Sequence, residues 1–126
     1  MKATSIQLRS GQQWLNSRNG KIYLVVGFTE HCDSLSAEEF TEVLYRSDDM
    51  PYGCYRHRSV KDWFGLNRDK EPRFLPYFLL SQNQHLVLEK LKERFTISLT
   101  KLVLIEMLIH NSDFDVALAK VCCATQ

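Results

Sequence analysis

No apolar run in this 126-residue chain approaches the length of a membrane span. The Met-Lys-Ala-Thr start has none of the apolar core of a secretory signal, so the cytosol is the expected compartment. Glycine and proline are scarce, at 5 and 3 residues, and the chain shows no internal repeat and no low-complexity segment. Gly27 and Gly53 stand alone, so no glycine-rich phosphate loop is present, and neither Gly-x-Ser-x-Gly nor His-Glu-x-x-His occurs. The cysteines, Cys32, Cys54, Cys122 and Cys123, lack the spacing of a disulfide framework and are expected to be reduced. A net charge of only +1 gives the whole molecule no long-range pull toward nucleic acid or an acidic membrane.

What the chain does have is local order in both charge and pattern. Basic residues alone occupy 1–29 (Lys2, Arg9, Arg18, Lys21), and acidic residues alone occupy 30–45 (Glu30, Asp33, Glu38, Glu39, Glu42). The surface is therefore expected to be dipolar. Asn19-Gly20 lies ahead of an apolar run, a setting that predicts a β-hairpin closed by a two-residue type I′ turn. In residues 22–28, Ile22, Leu24, Val26 and Phe28 alternate with Tyr23, Val25 and Gly27, which predicts a strand apolar on both faces with a bulge near Gly27. Residues 31–39 read as a polar loop or a single helical turn, 40–45 as the next strand, and 46–53 as turn chemistry around Pro51 and Gly53. Residues 54–58 read as extended, with Ser59 capping a short turn through Trp63. Short strands at this spacing predict a small barrel.

After Pro72 and Pro76 the period changes to that of helices, expected over 82–95, 98–110 and 112–123. In the last, Phe114, Ala117, Leu118 and Val121 fall at i, i+3, i+4 and i+7, with Ser112 as the expected N-cap and Asp115 in the capping-box position. Residues 98–110 are apolar around most of their circumference, so this helix needs cover on more than one side. The barrel, the neighbouring helices or a second copy could supply it, and a homodimer through 98–110 is the favoured expectation because a small barrel has little spare apolar surface.

Several segments together carry a resemblance. They are Gly20-Lys-Ile-Tyr-Leu-Val-Val-Gly-Phe-Thr-Glu-His31, Val43-Leu-Tyr45, Tyr55-Arg-His-Arg58 leading to Trp63-Phe64, and Pro72-Arg-Phe74. In order and spacing they resemble the DUF1653 family of small bacterial and phage proteins, over roughly residues 14–74. Ser59 stands where that family usually has proline, and the 32–42 loop is of atypical length. The resemblance implies a compact SH3-like β-barrel in a bacterium or its phage. It brings no assigned activity.

Candidate chemistry is sparse. His31, Cys32 and Asp33 with Cys54 and His57 could in principle form a Cys₂His₂ zinc site, but adjacent residues of a strand point to opposite faces. These residues are read as ordinary thiols and histidines, and no metal or cofactor is expected. A Cys32–His57 nucleophile pair lacks a visible oxyanion hole. Asp48-Asp49 and Glu38-Glu39 read as solvated loop carboxylates, and Cys122-Cys123 as packing residues on a helix.

Binding is the stronger theme, because Tyr23, Tyr45, Tyr52, Tyr55 and Trp63 are interleaved with Arg56, Arg58 and Lys61. Tyr23 and Tyr45 are read as half-core residues. The expected ligand-binding residues are Arg58, Trp63, Tyr55, Arg56 and Lys61. The sequence thus predicts one α+β domain, a small SH3-like β-barrel over 1–75 followed by a three-helix C-terminal tail over 76–126 packed on it. Its expected role is that of a non-enzymatic adaptor recognising a protein or small anionic ligand. Nucleic-acid regulation through residues 56–61 is the alternative, with a Cys/His enzyme or zinc protein as lesser readings. The acidic 30–42 segment argues against bulk DNA.

Overall fold

A computed structural model describes residues 7–29, 42–94 and 98–124. The chain is α+β and divides into two compact units, one running from Leu8 to Pro76 and a second beginning at Tyr77. The break falls beside Pro76, where the hydrophobic period of the sequence changes.

The first unit is a five-stranded antiparallel sheet. Its strands are β1 (Gln13–Asn16), β2 (Ile22–Thr29), β3 (Glu42–Ser47), β4 (Arg56–Ser59) and β5 (Phe74–Leu75), in the order β4-β3-β2-β1-β5. A one-turn helix, α1 (Val60–Trp63), follows β4, and the Ser59 hydroxyl accepts from the Asp62 amide as its N-cap. β2 pairs with β3 from Tyr23↔Ser47 to Thr29↔Glu42, with a register shift between Val25 and Gly27. Val26 is thus the extra residue of a β-bulge, next to the glycine that suggested one. Only one face of β2 carries the core: Tyr23 and Val25 are buried, whereas Leu24 is 40% exposed. The expectation of two buried faces is corrected accordingly.

The sheet is curled. Its edge strands β4 and β5 do not pair with each other, yet the Arg58 guanidinium carbon of β4 lies 5.8 Å from the Phe74 ring centroid of β5. Inside the curl, Trp63 and Phe74 stack with centroids 3.8 Å apart and planes 7° from parallel. Tyr45 meets both rings edge-on, at 5.1 and 5.6 Å, and Tyr23 and Trp14 extend the cluster. Edge-to-face and offset contacts of this kind add to the large apolar area that each ring removes from water.

The β1–β2 hairpin forms, but its turn is not type I′. The loop spans residues 17–20, closed by the Asn16 amide donating to the Lys21 carbonyl at 2.9 Å and by the Gly20 amide donating to the Asn16 carbonyl at 2.9 Å. Only Gly20, at φ 73°, has a positive φ there, whereas type I′ needs two such residues. The Asn16 side chain overrides the local Asn-Gly preference, its Oδ1 accepting from the Arg18 and Asn19 amides at 2.9 and 3.0 Å. Gly20→Val is expected to lower stability by about 1 kcal/mol or more, because a β-branched residue resists positive φ even in open space. Thermal unfolding followed by tryptophan fluorescence measures it, and an unchanged midpoint would contradict the turn geometry.

In the second unit, α2 (Gln82–Leu91) starts at a capping box between Ser81 and Gln84, α3 (Leu99–Ile109) at Ser98, and α4 (Phe114–Ala124) at Asp113. The expected Ser112 cap is corrected: the Asp113 carboxylate accepts from the Val116 amide at 2.9 Å. The predicted stripe holds at Phe114, Ala117 and Val121, which are buried, while Leu118 is half-buried. α3 packs against α2 and α4 and buries Leu99, Val103, Leu104 and Leu108, while Ile109 is exposed. Among the described residues no helix is long and apolar enough to cross a membrane.

Candidate functional site

Three parts of the sheet unit converge on one recess of about 780 Å³: the β1–β2 turn, strand β4 and the loop over residues 66–73. Its walls carry four arginines, Arg18, Arg58, Arg68 and Arg73, and its volume falls within the range of small-molecule sites.

Each arginine is placed by an identifiable local cause. Arg18 follows Asn16 in the turn that Asn16 organises. Arg68 follows Asn67, whose Oδ1 accepts from the Asp69 and Glu71 amides at 2.9 and 3.1 Å and so builds the 66–72 loop around itself. The two turns are tied together, because Asn67 Nδ2 donates to Ser17 Oγ at 2.8 Å and Ser17 Oγ donates to the Pro72 carbonyl at 2.6 Å. Buried Ser17 is thus the polar rivet between β1 and the 66–73 loop.

Arg58 and Arg73 flank Asp62 of α1. One Asp62 oxygen pairs with Arg58 Nη1, and the other lies 3.7 Å from Arg73 Nη2. Arg58 Nε also donates to the Tyr45 hydroxyl at 3.3 Å. Partial burial works against the Arg58 charge, but Tyr45 and Asp62 more than offset it and hold its pKa above the usual arginine value. Arg73 Nη2 donates to the Leu66 carbonyl at 3.1 Å, which leaves its Nε buried without a hydrogen-bond partner. Neither the Arg18 nor the Arg68 guanidinium has a partner among the described residues. The recess therefore holds two arginines fixed by a shared carboxylate and two available to a ligand.

The residues singled out from the sequence separate in space. Arg58 lines the recess. Trp63 is 0% exposed and belongs to the aromatic core, so it has no surface with which to touch a ligand, and its place in the predicted site is corrected. Tyr55 is 49% exposed with its ring 6.0 Å from the Arg46 guanidinium carbon, and Arg56 and Lys61 are exposed outside the recess walls. Tyr23 and Tyr45, read from the sequence as half-core residues, are buried in the core. His31, Cys32 and Asp33 lie outside the described residues, as do Glu38 and Glu39. Cys54 is exposed, and His57 Nδ1 pairs with Glu42. Asp48 and Asp49 are exposed turn residues, with Asp49 bonded to Lys21 and the Ser47 hydroxyl.

Arg18, Arg68 and Arg73 were absent from the residues picked by sequence because they are spread over more than fifty positions and form no run. The signal that could have found them is paired: Asn16-Ser17-Arg18 and Asn67-Arg68 each set an arginine just after an asparagine able to build a turn. Comparison of the chain with protein-family models, with curated proteins and with solved structures found no match.

Proposed function

We propose that this protein is a non-enzymatic binding module, an SH3-like curled barrel that recognises an anionic group in the recess between the β1–β2 turn, β4 and the 66–73 loop. The observation that carries this reading is the convergence of four arginines on one half-open recess, two of them without partners among the described residues. Arginine has five donors in a rigid fork matched to carboxylate and phosphate oxygens, and it stays charged at any physiological pH. Clustering four such cations raises the energy of the unliganded protein through mutual repulsion. An anion relieves that repulsion and gains charge-assisted hydrogen bonds.

The barrel and the setting of a bacterial or phage cytosol rest on the sequence resemblance of residues 14–74 to DUF1653 proteins, which no family model matches. The resemblance also fits an adaptor role, because a small barrel with a preformed anion recess can capture a ligand without chemistry of its own. The test is an anion titration followed at individual arginine side chains, in which the four recess arginines are expected to respond ahead of the others.

A further inference from the structure

We infer that the recess takes the phosphoryl end of a small molecule, a phosphate monoester or diphosphate, in preference to a carboxylate or a polynucleotide. This rests on the anion-binding reading above and narrows it by the chemistry of the lining.

The side chains lining the recess offer donors almost exclusively. Asn16 Oδ1 is taken by the Arg18 and Asn19 amides, Asn19 Oδ1 by the Lys21 amide at 2.8 Å, and Asn67 Oδ1 by the Asp69 and Glu71 amides. What remains open to a ligand are the Arg18 and Arg68 guanidinia and the Asn16 Nδ2 amide, none with a partner among the described residues. A ligand group that brought its own N–H or O–H donors would find few side-chain acceptors here. A group made only of acceptor oxygens matches these donors.

Charge separates the acceptor groups from one another. Four guanidinia line the recess, and among its lining residues there is no carboxylate; Asp62 pairs with Arg58 and Arg73 and leaves the Arg18 and Arg68 charges without an ion-pair partner among the described residues. Each carboxylate group brings one negative charge and two oxygens, so even citrate spreads its charge over three separate centres. A phosphate monoester brings about two charges and three terminal oxygens near neutral pH. A long polyanion is disfavoured because the arginines gather in one recess, and the 66–72 loop that carries Arg68 also carries the acidic residues Asp69 and Glu71. Leu66, 59% exposed on the recess wall, supplies an apolar surface for the organic part of a small ligand.

Calorimetric titration of the full chain tests this with inorganic pyrophosphate, ADP, citrate and oligothymidylates of increasing length. The parallel proteins are Arg18→Ala, Arg68→Ala, the double variant and Arg56→Ala, each checked for folding by tryptophan fluorescence. Pyrophosphate and ADP are expected to bind with citrate at least tenfold weaker. The double variant is expected to lose at least tenfold in affinity, and Arg56→Ala to bind as the parent does. Citrate binding as tightly as pyrophosphate, with the same loss in the double variant, would overturn the phosphoryl assignment while leaving the anion site standing. Affinity that climbs with oligothymidylate length and falls in Arg56→Ala would overturn it in favour of nucleic acid. Absence of binding by every probe would overturn both readings.

Discussion

Trp63→Ala is expected to unfold the sheet unit or leave it barely stable. Trp63 is fully buried, stacked on Phe74 at 3.8 Å and in edge contact with Tyr45 and Trp14 at 5.1 and 5.7 Å. Truncating an aromatic side chain in such a position costs about 3–5 kcal/mol in lost transfer energy and residual cavity. That is a large share of the roughly 5–15 kcal/mol by which domains are stable. The same change would loosen the recess indirectly, since Trp63 ends the helix that carries Asp62, the carboxylate shared by Arg58 and Arg73. Trp63→Phe is expected to be much milder. It keeps a ring face for Phe74 and removes an indole N–H that is buried without an acceptor. Denaturant titration of both variants, followed by the fluorescence of Trp14, measures the difference. Parent-like stability in Trp63→Ala would contradict the aromatic core.

The second large effect is expected in the helical unit. Leu104 of α3 is 0% exposed, so Leu104→Glu places a carboxylate where water cannot reach it. The group must either remain ionised without solvation or take up a proton far above its normal pKa, and either route costs several kcal/mol. Met107, only half-buried, should tolerate the same substitution with a smaller loss. Helical circular dichroism with light scattering on both variants separates two accounts of this helix. Because Leu104 is already buried within one copy of the chain, Leu104→Glu is expected to lose helix signal. A change from dimer to monomer with full helix content would instead place Leu104 in an interface between copies.

Much of the architecture was legible in the sequence because it rests on short-range causes. The alternation of Tyr23 and Val25 with Leu24 predicted β2, Gly27 marked the bulge, and Ser59 capped the turn it was expected to cap. Phe114, Ala117 and Val121 predicted the buried stripe of α4 from periodicity alone. The readings that failed involve a competitor beyond the local window. At the hairpin, Asn16 organises the turn through its side chain and displaces the type I′ geometry that Asn19-Gly20 favours in isolation. Trp63 follows a basic segment and reads as a surface aromatic, yet α1 is one turn long and directs that residue into the curl of the sheet. The recess is the least legible feature. Arg18, Arg58, Arg68 and Arg73 meet only because the sheet curls its two edges toward each other and Ser17 ties one turn to another. Arg58 alone was within reach of sequence reasoning, as a cation beside aromatics.

The most direct measurement is a nuclear magnetic resonance titration of the arginine Nε–H resonances with pyrophosphate at low and physiological salt. The four recess arginines, Arg18, Arg58, Arg68 and Arg73, should shift together along a single saturating curve. Arg46, Arg56 and Arg94 should move little, and the response should weaken but persist as salt is raised, because several charge-assisted hydrogen bonds converge on one anion. Uniform, non-saturating shifts of all arginines, or a response centred on Arg56 with Arg18 and Arg68 silent, would contradict the recess as the binding site.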